Sequence, residues 1–269
     1  MPVSESKTRV IRPPAVAGFF YPADPDELRQ MVGQLMEHTQ LKTVPPKAII
    51  APHAGYIYSG PTAAIAYSSL QPLHEKINRV ILLGPAHRVY LRGLALSSAT
   101  HFVTPLGEIE IDQSAVKQIK DLPQVSISDI AHQQEHSLEV HLPFLQQLLD
   151  KFLLVPLVVG DASPEEVAEV LDILWGGEET AIVISSDLSH YHDYDTARQL
   201  DAATTRAIEN LQLENIGPNQ ACGCMPIRGL LQIIRNKRKL SVHTLDLRNS
   251  GDTAGTKDRV VGYGAWSFS

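Results

Sequence analysis

The sequence predicts an α/β fold: a single domain spanning residues 1–269, with a central, mostly parallel sheet flanked by helices. Two observations carry this. Four short apolar runs, Ala48–Ile50, Val80–Leu83, Leu153–Val159 and Ala181–Ile184, are β-branched and continuous rather than alternating. Such runs read as strands buried on both faces of a sheet, as parallel strands usually are. Helical patterns fall between them, and strands alternating with helices give a layered α/β architecture.

In chain order, GPTAAIAYSSL, beginning at Gly60, reads as a helix directly behind the first run. The segment HQQEHSLEVHLPFLQQLLD carries Leu138, Leu142, Leu145 and Leu149 at helical spacing, with Pro143 marking a kink or a restart. On a continuous helix Glu135 and Glu139 share a face. SPEEVAEVLDILW has Ser163 as N-cap, Pro164 at the first helical position and Glu166 completing a capping box. DTARQLDAATTRAIENL gives another helix from Asp195, and an apolar helix continues from Pro226. SVHTLDLRNSG and RVVGYGAWSF read as two closing strands joined by the turn-rich GDTAGTKD.

The formal net charge of -7 argues against a nucleic-acid or anionic-membrane partner. The one basic cluster, Arg235, Lys237, Arg238 and Lys239, ends an apolar helical pattern, where cations complement the helix dipole. Two cysteines, Cys222 and Cys224, exclude a disulfide framework and fit a reducing compartment. The opening MPVSESKTRVIRPP has no apolar core of signal-peptide length, and no run approaches about eighteen apolar residues. The expected location is the cytoplasm.

Function is legible in where the polar residues fall. The first run is followed at once by His53, the second by Gly84, Pro85 and His87, and the fourth by Ser185, Ser186, Asp187 and His190. Parallel strands deliver such loops to one edge of the sheet, where ligands of open α/β folds bind. A single loop histidine is ordinarily a hydrogen-bonded structural residue. Three at equivalent places suggest one site. Neutral imidazole is the commonest metal ligand, and a thiolate adds preference for softer ions. Cys222 precedes a helix start, where the dipole favours its thiolate. His132, Glu135, His136, Glu139 and His141 form a second polar cluster, which ranks below the strand-end loops because the leucines give its segment an ordinary buried stripe.

Six motifs in order, APHAGYIYSG, ILLGPAH, EHSLEVHLPFLQ, ISSDLSHY, ACGCMPI and RVVGYGAW, resemble the Memo family, including its prokaryotic AmmeMemoRadiSam system protein B members. The resemblance covers nearly the whole chain. It implies a fold related to the class III extradiol dioxygenases. By matching motif positions it places metal ligands at His53, His87 and Cys222, and further site residues at Asp187 and His190. It implies one Fe(II) or copper ion per chain, an unidentified small-molecule substrate, and association with a radical-SAM protein and an AMMECR-type protein. Dioxygenases of that class use two histidines and a carboxylate, whereas the resemblance puts a thiolate here. Where animal relatives carry Arg-His after Cys-Gly, this chain has Cys224 and Met225.

Three functions follow as expectations. The first is a mononuclear metal oxidoreductase in which His190 acts as acid and base and Asp187 orients it. The second is a non-catalytic module recognising a peptide or protein partner in the same cleft. The third is a zinc hydrolase with an activated water.

Overall fold

In the computed structural model, which describes residues 9–37 and 44–269, the four apolar runs become adjacent central strands. The opening residues Met1 to Thr8, on which the reading of the N-terminus partly rests, lie outside the described residues. The first half of the chain runs β1 (Ile11–Arg12), α1 (Pro25–Glu37), β2 (Ala48–Ala51), α2 (Tyr56–Ser68), β3 (Arg79–Pro85), β4 (Leu94–Leu96), β5 (His101–Thr104), β6 (Gly107–Glu110) and α3 (Gln113–Ile119). Then come β7 (Val125–Ile127), α4 (Asp129–Gln133), α5 (Leu142–Leu148), β8 (Leu153–Val159), α6 (Pro164–Leu174) and β9 (Thr180–Ser185). The chain closes with β10 (His190–His192), α7 (Tyr194–Glu209), α8 (Cys224–Ile233), β11 (Val242–Asn249) and β12 (Val260–Phe268).

The large sheet has the order β10-β12-β2-β9-β3-β8-β4-β7, with β11 also paired to β12. β2, β9, β3 and β8 are mutually parallel, while β12 and β4 join either side of them antiparallel. Every residue of β2 and β9 is buried, as expected of strands covered on both faces. A separate three-stranded sheet has the order β1-β5-β6. The two closing strands pair with each other as their sequences predict.

Helix ends follow their local chemistry. Ser163 caps α6 with the full capping box. α7 starts a residue earlier than predicted because the Asp193 side chain accepts from the Thr196 N–H, making it the N-cap. α2 begins at Tyr56, inside the APHAGYIYSG motif, and carries Pro61 within it. α6 and α8 meet at Gly229, where a Cβ would lie 2.3 Å from the Val167 side chain. Three of the four residues in the basic cluster are spent on carboxylates: Arg235 on Glu214, and Lys237 and Arg238 on Asp172. Among the described residues no helix is long and apolar enough to cross a membrane.

The predicted continuous helix through Glu135 and Glu139 does not form. α4 stops at Gln133, a short 3-10 turn covers Glu139–His141, and α5 restarts at Leu142 with Pro143 in its first turn. The two glutamates leave the helical path because each serves a buried network. Glu139 pairs with the Arg12 guanidinium and accepts the N–H groups of Ala15 at 2.7 Å and Val16 at 2.9 Å, and the Tyr21 hydroxyl at 2.5 Å. Arg12 also donates to the carbonyls of His132 and Glu135. A buried ion pair persists only when its remaining hydrogen-bonding capacity is met, as it is here. The result stitches residues 12–21 to the loop between α4 and α5.

Buried histidines of this region contribute to the acid stability. Burial holds His132 at about 4 and His141 at about 3, against about 6.5 for an ordinary histidine. Since the folded values lie below the unfolded one, the unfolded chain binds more protons as pH falls below about 6.5, and stability falls with it until the folded rings themselves protonate. Each group contributes a slope of up to about 1.4 kcal/mol per pH unit in that window. Asp187, raised by burial to about 6, and Asp201, also raised by burial, act in the opposite sense but are two groups against four, since burial holds His53 and His136 low as well. The urea midpoint is expected to be flat from about pH 8 to 7 and to drop between about 6.5 and 4.5. His132→Gln, which keeps a donor for the Ala95 carbonyl, should make that drop shallower by about one proton. A midpoint that rises on acidification contradicts this.

Candidate metal centre

The site is built where β2, β9 and β3 end side by side. The final residues of β2 and β9, Ala51 and Ser185, are partners in the parallel register. The Ser185 hydroxyl donates to the Ser137 carbonyl at 2.6 Å. Its proton is thereby used, so at 2.6 Å from His53 Nδ1 the same oxygen must accept, and Nδ1 carries the hydrogen. His53 Nε2 is left with its lone pair. The ring is 2% exposed, and burial, followed by the neighbouring His87 and His136, holds it far below the ordinary imidazole range.

His87 follows β3 by two residues and is fixed by Glu135. One carboxylate oxygen accepts the His87 backbone N–H at 2.6 Å, and the other lies 2.9 Å from Nδ1. Burial alone would raise the Glu135 carboxyl, but the His87 hydrogen bonds and the Ser137 N–H outweigh it and hold the group at about 2. As a carboxylate it can only accept, so His87 is also protonated on Nδ1 and presents Nε2.

The third imidazole is His136. Its ring stacks on His87 with centroids 4.7 Å apart, stands edge-on to His53 at 5.5 Å, and contacts Phe20 at 4.7 Å. Its backbone N–H donates to Glu135, the same acid that orients His87. His136 Nδ1 is buried and lies 3.4 Å from a Glu135 carboxylate oxygen without hydrogen-bond geometry. Burial, opposed by Glu135, holds the ring at about 4. Ligand atoms of His53, His87 and His136 all lie within 4.8 Å of one another. Three converging imidazoles, two of them with Nδ1 committed to Ser185 and Glu135, are a donor set that suits a transition-metal ion.

The structure brings His53 and His87 together and puts Cys222 beside them, with Sγ 3.3 Å from His53 Nε2. The thiol is not in the state the helix start suggests. Cys222 stands just before Gly223, the N-cap of α8, yet burial and then the Asp187 charge push its pKa far up, overriding the helix dipole. The Asp187 N–H points at its sulfur at 3.3 Å and the Cys222 N–H returns to the Asp187 carbonyl at 3.2 Å, locking the two turns together. Asp187 Oδ1 accepts the His53 backbone N–H at 2.7 Å. Burial raises this carboxyl to about 6 despite that bond.

His190 lies outside the three-histidine group but close enough to disfavour charge on His53. It begins β10, whose pairing with β12 is interrupted by an irregularity at Tyr191, a non-glycine residue with φ of 62°. Bulges of this kind re-aim a side chain. His190 Nδ1 sits 2.7 Å from the Leu188 carbonyl, which can only accept, so Nε2 is its free nitrogen.

His136 and Glu135 come from the cluster the sequence ranks second. They do not end a strand, so the strand-end rule passes over them. Their loop crosses above β3, where the Ser137 hydroxyl donates to the Pro85 carbonyl at 2.8 Å and a Cβ on Gly84 would lie 2.8 Å from the Ser137 oxygen. The legible signal is the density of histidine and glutamate in HQQEHSLEVH, together with Pro143 forbidding one long helix.

The pattern that defines the family described as Memo-like protein matches residues 12–267. The chain belongs to the Memo family. A MEMO1 family protein of Aquifex aeolicus is 36% identical, over 94% of this chain and 97% of its own. One of Methanosarcina barkeri is 34% identical, over 95% and 98%, and one of Metallosphaera sedula 34%, over 96% and 99%. This Memo-family chain thus matches these relatives over 97–99% of their own length.

Glu135→Ala frees both the His87 tautomer and the His136 backbone, and is expected to weaken uptake of a divalent transition-metal ion about ten- to a hundredfold in a titration, the usual cost of losing such an orienting acid. Unchanged affinity contradicts its role. Gly223→Ala places a Cβ 2.4 Å from the Ser185 carbonyl, so the backbone must move; a loss of about 1–3 kcal/mol in chemical unfolding is expected.

Proposed function

We propose that the chain is a mononuclear non-haem iron or copper redox enzyme, with one ion held by His53, His87 and Cys222 and joined by His136. The observation that carries this reading is the meeting of three imidazoles with ligand atoms within 4.8 Å, with a sulfur 3.3 Å from one of them. Imidazole suits iron, copper and zinc alike, while sulfur shifts preference toward softer, redox-active ions. Such an ion supplies one-electron and oxygen chemistry when bound.

The protein's own residues contribute orientation, dryness and proton handling. Ser185 and Glu135 hold two rings with Nε2 forward. His190, with Nδ1 committed to the Leu188 carbonyl, has Nε2 available to take or give a proton at the edge of the site. Asp187 anchors the His53 backbone and, raised by burial to about 6, changes charge near neutrality. Ligand loss through the thiol is restrained because Cys222 is tied to Asp187 through both backbone N–H groups. The family's prokaryotic members motivate the further proposal that a radical-SAM protein and an AMMECR-type protein are its partners.

A second reading is favoured by one feature: three histidines are also the donor set of catalytic zinc, which activates a bound water. The test is metal content by mass spectrometry on protein purified without oxygen or added metal. About one iron or copper per chain, lost in His53→Ala and reduced in Cys222→Ser, is expected. Stoichiometric zinc with esterase turnover selects the hydrolase. Full occupancy in His53→Ala overturns the ligand assignment.

A further inference from the structure

A pocket of about 330 Å³ has Cys222 in its wall, the residue whose Sγ lies 3.3 Å from His53 Nε2. Its walls come from the loop after β3, the end of β8 and the approach to α8, so it lies at the same carboxyl edge of the sheet as the candidate centre. Val89, Leu91, Pro218, Met225 and Pro226 make it predominantly apolar, and Tyr90, 85% exposed, stands at its rim. Both cysteine residues line it. The volume is at the low end of small-molecule sites, enough for a single-ring group rather than a peptide.

Two further features make this a built pocket. Its floor is rigid: the Asp161 N–H donates to the Leu91 carbonyl at 2.8 Å, the Gly160 N–H to the Gly93 carbonyl at 2.9 Å, and a Cβ on Gly160 would lie 2.0 Å from the Leu91 oxygen. Only glycine allows that approach. Its charge is one-sided as well. Among the described residues no lysine, arginine or histidine lines it, and Asp161 is its single carboxylate. An anionic group entering there would meet no counter-charge and one like charge, whereas an uncharged apolar group loses nothing on desolvation. Cys224 and Met225 offer polarizable sulfur, which packs well against rings.

We infer that this pocket is the substrate subsite, receiving a compact, uncharged apolar group of about one ring and so directing the adjoining atoms of the substrate past Cys222 toward His53. The inference rests on the proposed metal centre for the meaning of that direction, but the pocket's binding preference does not depend on a bound ion.

The test uses metal-free full-length protein labelled with nitrogen-15, titrated with phenol, cyclohexanol and benzoate while amide shifts are mapped. Phenol and cyclohexanol should shift residues 86–91, 159–161 and 222–226, and benzoate should bind there at least tenfold more weakly. Phenol bound more tightly than cyclohexanol specifies an aromatic group, and equal binding an apolar group of either kind; both support the inference. Val89→Trp should weaken both neutral probes at least tenfold, and Ala86→Leu, a smaller intrusion into the same wall, should do so in part. Shifts confined to other surfaces, benzoate binding equal to phenol in this pocket, or indifference to both filling variants overturns the inference. Protein that binds the neutral probes here but takes up neither added iron nor added copper counts against the metal reading alone.

Discussion

The parallel pairing of β2, β9 and β3 is the constraint from which the site follows. Hydrogen-bonded neighbours lie about 4.8 Å apart, so three adjacent strands ending at one level place their following residues within reach of a single ion. The register is explicit: Ala51 faces Ser185, and Ile184 faces both Ile50 and Leu83. A slip of one residue would turn Ser185 to the other face of the sheet and remove the acceptor of the His53 ring. The buried, β-branched strands that give the fold its core therefore also set the aim of its imidazoles.

A second layer converts this placement into chemistry. Ser137 links the parts: its carbonyl takes the Ser185 proton, its N–H joins those held by Glu135, and its hydroxyl holds the end of β3. The Arg12 and Glu139 pair, buried and fully bonded, fixes the loop from which Ser137 projects. The hydrogen bonds that hold the loop thus also decide which nitrogen of His53 and of His87 carries the proton. The same loop brings His136, whose ring stacks on His87 and lies beside the carboxylate that orients it.

Much of this was legible in the residues. Continuous apolar runs gave the four central strands, and the residues after them led to His53, His87 and Asp187, because a parallel sheet leaves little freedom in where its loops emerge. The capping box at Ser163 marked a helix start for a local reason that packing did not override. The loop at Glu135 was less legible. Its leucines are spaced as a helix, but Glu135 gains more by collecting the N–H groups of His87, His136 and Ser137 than by staying on a helical face. The state of Cys222 was hidden too, since a helix start favours the thiolate only while the sulfur is solvated, and here burial dominates.

The central claim is that the protein itself, before any ion arrives, holds His53 and His87 with the proton on Nδ1 and the lone pair on Nε2. Long-range proton–nitrogen correlation spectra of nitrogen-15 histidine-labelled, metal-free protein near neutral pH read this directly. The account predicts that both rings show the Nδ1–H tautomer. Nε2–H tautomers at these positions, or rapidly averaging ones, would contradict it.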